Sequence, residues 1–174
     1  WNVKQNWKKG VLNGPYEEYY ENGQLETKNT YKDGLREGPY ESYYHNGQLR
    51  SVQNYKEGLM DGLCEHYSEN GKLRLMENYK KGELNGPYEE YYENGQLEIK
   101  GNYKNGLREG ILEKYFENGV LREKGSYISD LQEGTVEFYY KNGVLKERVN
   151  YWKGLKNDPI EKFDEDGKSI TKKN

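Results

Sequence analysis

A period of 24 residues runs through the chain without insertion or deletion, and no other feature constrains the fold as tightly. Gly14, Gly38, Gly62, Gly86, Gly110 and Gly134 form one row, with Asp158 in the seventh place. Gly23, Gly47, Gly71, Gly95, Gly119, Gly143 and Gly167 form a second, each after an Asn or, in the last copy, after Asp166. Gly10, Gly34, Gly58, Gly82, Gly106 and Gly154 form a third, with Asp130 filling its gap. Only Gly101 and Gly125 stand outside these rows, one period apart. Tyr31, Tyr55, Tyr79, Tyr103, Tyr127 and Tyr151 share a position that begins at Trp7, and Leu25, Leu49, Leu73, Leu97, Leu121 and Leu145 share another. A repeat of this length makes a quasi-one-dimensional structure, in which each unit is stabilised by its neighbours. Residues 1–13 read as a partial first repeat with Trp1 in the Leu position, 14–157 as six full repeats, and 158–174 as a degraded capping repeat. The polar tail Lys168-Ser-Ile-Thr-Lys-Lys-Asn suits such a cap, because an open sheet end exposes unpaired backbone.

The copy at 86–103 reads G-P-Y-E-E-Y-Y-E-N-G-Q-L-E-I-K-G-N-Y. Asn94-Gly95 between apolar-rich segments signals a hairpin, with strands over 87–93 and 96–103. A two-residue type I′ loop predicts Tyr92 opposite Leu97, Glu90 opposite Ile99 and Glu89 opposite Lys100. One face then carries Tyr88, Tyr92, Leu97, Ile99 and Tyr103, and the other Glu89, Tyr91, Glu98 and Lys100. Charge agrees with this register. The Glu89 position is Glu in all seven copies, and its expected partner is Lys28, Lys100, Lys124 or Arg148 in four of six. A three-residue loop with a glycine bulge is the competing geometry; it puts Tyr91 on the face of Leu97 and Tyr103. The segment from Tyr103 to Gly110 returns the chain to the next hairpin. The expected fold is therefore all-β: an elongated single-layer antiparallel meander of repeated hairpins, advancing about 10 Å per repeat.

Composition tests this expectation. Charged residues are 33% of the 174, and Leu, Ile, Val and Phe are sparse, a profile that also occurs in disordered chains. A net charge of only −3 and 19 tyrosines argue against disorder. Tyr buries a ring while its hydroxyl stays near water, which suits a thin sheet. One cysteine, Cys64, excludes an internal disulfide. No apolar run approaches the roughly 18 residues of a membrane span. The balanced charge gives no basic footprint for nucleic acid. The chain starts at Trp1 without Met, so a soluble protein is expected in either compartment: cytoplasmic, or exported with a signal peptide lost upstream.

The segment Gly101-Asn-Tyr103-Lys-Asn-Gly106-Leu-Arg-Glu-Gly110 resembles the central part of the MORN repeat, with Tyr in place of Trp and Ile99 where the leading Tyr stands. Gly101 and Gly125 supply that family's Gly before the aromatic; Asn29, Gln53, Glu77 and Val149 depart from it. The spacing and the Y-Y-x-N-G-x-L segment are similar to the bacterial MORN variant of the YwqK-type antitoxin family. The resemblance implies a non-catalytic ribbon that binds or scaffolds a partner, with the antitoxin label implying a protein to neutralise. Some MORN proteins are associated with membranes or phosphoinositide kinases, but no kinase motif is present here.

No catalytic set is readable, so no enzyme activity and no cofactor are expected. No metal site is expected either. His45 and His66 are the only histidines, and although Cys64 shares a strand face with His66, an ion would need two further ligands. Asp164-Glu-Asp166-Gly167 faintly resembles part of a calcium loop but falls in register as the seventh turn and lacks the closing Glu. The candidate partner-binding row is Tyr19, Tyr43, Tyr67, Tyr91, Tyr115 and Tyr139, a ladder of rings on the charged face; the alternative is that these rings simply cover that face. Drift is greatest from Asp130 to Tyr151, at Asp130, Thr135 and Phe138. A protein partner is expected. The alternative is an anionic membrane surface meeting Lys32, Arg36, Lys56, Lys80, Lys81, Lys104 and Arg108, diluted by Glu37, Glu57, Glu83 and Glu109. End-to-end self-association through edge strands is a further expectation.

Overall fold

The computed structural model describes residues 2–171, the side chains of 158 and 159 excepted. Trp1, the last three residues of the polar tail and the side chain of Asp158 lie outside the described residues. The described chain is all β, with antiparallel pairing and no helix. It divides into two compact units, Trp1–Asn85 and Gly86–Asn174. The first contains strands Val3–Lys8, Val11–Tyr19, Leu25–Lys32, Leu35–Arg36, Gly38–Tyr43, Leu49–Lys56, Leu59–Met60, Gly62–Tyr67 and Leu73–Lys80. Strand Glu83–Tyr91 carries the division. The second unit continues with Leu97–Lys104, Leu107–Arg108, Gly110–Tyr115, Leu121–Ile128, Leu131–Tyr139, Leu145–Trp152 and Leu155–Lys162.

The Asn-Gly turn differs from the two-residue expectation. Gly95 N donates to Tyr92 O and Tyr92 N to Gln96 O, both at 2.9 Å, which closes a three-residue loop. Gly95 has φ +90° and Asn94 does not share the left-handed region, so this is a type I turn ended by a glycine bulge. The reason lies in the Asn side chain, which serves as a hydrogen-bonding group. Asn94 Oδ1 accepts from Gln96 N at 2.8 Å, and Nδ2 donates to Glu117 O, in the next turn, at 2.9 Å. Asn22, Asn46, Asn118 and Asn142 reach His45 O, Glu69 O, Lys141 O and Glu165 O in the same way. The type I′ turn sits instead in the second loop, where Asn105 (φ 51°) and Gly106 (φ 78°) join the pair Lys104–Leu107.

Tyr hydroxyls add a parallel set of bonds between turns. Tyr20 donates to Tyr43 O at 2.6 Å, Tyr44 to Tyr67 O at 2.7 Å, Tyr92 to Tyr115 O at 2.8 Å and Tyr140 to Phe163 O at 2.9 Å. Ser68 and Phe116 fill the same position without this bond.

Register follows from the turn. Tyr91, not Tyr92, lies opposite Leu97, and a bulge at Glu98 then restores Glu90 opposite Ile99 and Glu89 opposite Lys100. The longer loop adds a residue to one strand and the bulge offsets it, so the expected charge pairing survives while the expected apolar row loses Leu97. Tyr88 and Tyr103 remain together on the face opposite Glu89 and Tyr91, with ring centroids 5.4 Å apart.

That face carries the core. In the second unit Val136 and Val149 pair across strands with no exposure, beside Leu112 and Tyr127. In the first unit the equivalent region buries Cys64 together with the polar Asn29, Ser42 and Ser51. Gly101 and Gly125 lie on this face without positive φ, so space rather than conformation requires them. A Cβ on Gly125 would stand 2.9 Å from Val136 Cγ2, and one on Gly101 3.4 Å from Leu112 Cδ1. Gly125→Ala is therefore expected to lower stability by about 1–3 kcal/mol, and Gly101→Ala by less than about 1 kcal/mol. Urea-unfolding midpoints of the two variants check the order.

Candidate functional site

The face of Glu89 and Tyr91 carries the same Glu–Tyr bond in six copies. Tyr67, Tyr91, Tyr115 and Tyr139 donate to Glu65, Glu89, Glu113 and Glu137 at 3.0, 2.6, 2.9 and 2.8 Å. Tyr19 and Tyr43 make the equivalent bond to Glu17 and Glu41. All six rings of the candidate partner-binding row are half-buried. Across the strands the glutamates alternate with cations. Lys100 reaches Glu89 at 2.9 Å, Lys124 reaches Glu113 at 3.0 Å, and Arg148 reaches both Glu137 at 3.0 Å and Glu161 at 2.9 Å. In the first unit Val52 and Met76 interrupt this ladder.

The opposite face changes from copy to copy. One position reads Glu18, Ser42, His66, Glu90, Lys114, Phe138, and its cross-strand partner reads Thr27, Ser51, Leu75, Ile99, Glu123, Glu147. In the first unit these residues open a groove of about 290 Å³, lined by Tyr20, Arg36, Tyr40, Arg50, Ser51 and His66 among others. The Arg36 guanidinium lies over the rings of Tyr40 at 4.9 Å and Tyr55 at 5.2 Å. Ser42 and Ser51 share a hydrogen bond of 2.7 Å beneath it. Asn29 Oδ1, buried on this face, has no hydrogen-bond partner.

The second unit has a groove of about 480 Å³ on the same face. Arg108, one repeat row with Arg36, lies 4.4 Å over the Tyr127 ring and pairs with Asp130 at 2.8 Å. Lys114 pairs with Glu123 at 2.9 Å, and Phe138 lines the groove beside them. The drift at Asp130 and Phe138 thus falls on one groove. Asp130, which replaces a turn glycine, keeps the left-handed conformation at φ 69° and turns its carboxylate to Arg108. The attraction of Arg108 for Tyr127 and Asp130 was not legible, because the partners lie about one repeat apart with no local signal.

Cys64 and His66 do share a face, with Sγ 3.3 Å from Nε2. The structure adds Glu77, paired directly across from Cys64, so that one ligand atom from each of the three lies within 4.8 Å of the others. Burial and the nearby Glu77 and Glu65 carboxylates push the Cys64 thiol up to about 11. The hairpin register alone could have found Glu77, since it stands where Gly101 stands opposite Tyr88. His45 stacks on Tyr20 at 3.8 Å. The segment 164–167 is a turn: Gly167 N donates to Asp164 O, and Asp164 Oδ1 accepts from Asp166 N and Lys168 N. No helix among the described residues is long and apolar enough to cross a membrane.

A family profile described as the MORN repeat variant matches residues 12–33, 36–57, 60–81, 84–105, 108–129 and 132–153. No curated protein matches the chain significantly.

The Glu–Tyr face sets the pH range of stability. Tyr43, Tyr91, Tyr115 and Tyr139 are pushed up to about 12, by burial first and then by the glutamate each bonds. A raised folded-state value stabilises below the ordinary Tyr value of roughly 10 and is lost as pH climbs through the folded one. Glu89 and Glu137 are lowered, by the Tyr hydroxyl first and then by Lys100 or Arg148, and Glu113 by Lys124 first. Their contribution is present above the ordinary carboxylate range and is lost as pH falls below it. Stability should hold flat from roughly pH 6 to 10 and collapse towards 12 together with the appearance of tyrosinate absorbance. Full Tyr ionisation near pH 10 in a still-folded chain would contradict this.

Proposed function

The chain belongs to the MORN repeat variant family, and from that premise we propose that it is a non-catalytic scaffold that binds a protein partner along its variable face. Repeats of this family are generally protein or membrane interaction modules. The observation that carries the reading is the contrast between faces. The Glu89–Tyr91 face repeats its Glu–Tyr bond through six copies, as a frame must. The opposite face keeps its Tyr103 row but changes in the rows of Tyr88, Glu90, Ile99 and Gly101, opens into grooves, and in the first unit buries Asn29, Ser42 and Ser51 where the second unit buries Leu112, Val136 and Val149. A buried polar floor costs stability unless it is used, and departures from a consistent core concentrate where a protein does something else.

Arg36, Arg50, Tyr20 and Tyr40 suit a partner segment that presents carboxylates and flat apolar groups, as Arg and Tyr do at interaction hot spots. In the second unit Arg108 on this face pairs with Asp130. An antitoxin-like use, in which the bound partner is a protein to be neutralised, is the specific form that the resemblance to the YwqK-type family supports.

A membrane surface is the weaker reading. Two of its expected cations, Arg36 and Arg108, are engaged over Tyr rings rather than projecting from the loops. The Glu37 and Glu109 carboxylates accept from Glu57 N and Ser129 N in the next loop along.

A photo-crosslinking residue placed at Arg50 or Lys114, on the variable face, should capture a discrete partner from extracts of the source cell. The same residue at Lys28 or Lys124, on the constant face, should not. Capture from Lys28 and Lys124 alone, or flotation with phosphatidylserine vesicles at low salt, would overturn the assignment.

A further inference from the structure

We propose that Cys64, His66 and Glu77 form a binding site for one divalent metal ion of the zinc type, with three protein ligands and an open fourth position. Cys64 and His66 stand on strand Gly62–Tyr67 and Glu77 on strand Leu73–Lys80, in the direct pair Cys64–Glu77. The Sγ–Nε2 separation of 3.3 Å and the 4.8 Å envelope of all three ligand atoms suit a tetrahedral ion, whose S and N ligands lie about 3.6 Å apart. The donor set is one thiolate, one imidazole and one carboxylate. Calcium and magnesium prefer oxygen alone, whereas zinc takes this mixture.

Two further observations support a built site. Tyr79 donates its hydroxyl to Glu77 Oε2 at 3.1 Å, the kind of outer contact that orients a ligating carboxylate. The three residues also depart from the repeat together. The Cys64 position elsewhere holds Tyr, Leu, Val or Ile, the His66 position holds no other His, and the Glu77 position no other Glu or Asp. Three ligating substitutions therefore coincide in one copy and meet at one point. His66 also lines the groove of Arg36 and Tyr40. The proposal stands independently of the protein-binding reading.

The test uses the full chain, reduced and free of chelator, titrated with Co²⁺ and then Zn²⁺. Co²⁺ should produce a thiolate-to-metal charge-transfer band that saturates at one ion per chain and is displaced by Zn²⁺. Cys64→Ser should abolish the band. His66→Gln and Glu77→Gln should weaken Zn²⁺ binding by at least about tenfold, and Tyr79→Phe by about tenfold. The double variant C64Y/H66E restores the residues of the 16–18 and 88–90 copies; it should fold and bind no ion, which separates loss of the site from loss of the fold. Absence of the band in the unmodified chain, its persistence in Cys64→Ser, or one ion per two chains would overturn the proposal.

Discussion

Within each unit the structure depends on bonds that run from one turn to the next. A single hairpin of this sequence has little apolar surface to bury and would be marginal in water. Here the Asn94 row closes its own turn with Oδ1 and reaches a carbonyl of the following turn with Nδ2, while the Tyr92 row donates to a second carbonyl beside it. Both reach forward by 23 residues. An insertion or deletion of one residue would break the spacing of every bond that spans it, which accounts for the unbroken 24-residue period.

That stitching, with the Glu–Tyr–Lys face, leaves the remaining face less constrained. The second unit uses the freedom to build an apolar core on Val136 and Val149. The first unit uses it differently, with a serine pair, an unsatisfied Asn29 oxygen, Arg36 held between two rings, and the Cys64–His66–Glu77 cluster. The cross-strand register relates two of these features, because Ser42–Ser51 and Cys64–Glu77 are direct pairs across one hairpin. Function in such a chain is expected where copies differ, and frame where they agree.

Most of the frame was legible in the residues. The period, the strands and the Glu89–Lys100 pairing follow from spacing and alternating charge. The turn types differ from the expectation because Asn94 acts through its amide rather than through tolerance of positive φ, and positive φ at both positions falls on Asn105-Gly106. Leu97 was misplaced because the bulge at Glu98 carries no residue that marks it. The Tyr91 row was legible as a ladder on the charged face, but its commitment to Glu89 depends on rotamers that spacing does not specify. Glu77 is legible only across the strands, because the register sets it directly opposite Cys64 while nothing along the Cys64 strand marks it.

The dependence on turn-to-turn bonding is tested most directly at Phe116, where the second unit lacks the tyrosine hydroxyl that Tyr92 and Tyr140 supply. Phe116→Tyr places a donor where its neighbours in the row bond the carbonyl one turn on, here that of Tyr139. The urea-unfolding midpoint should rise, corresponding to about 0.5–1.5 kcal/mol of added stability. An unchanged or lowered midpoint would contradict the account.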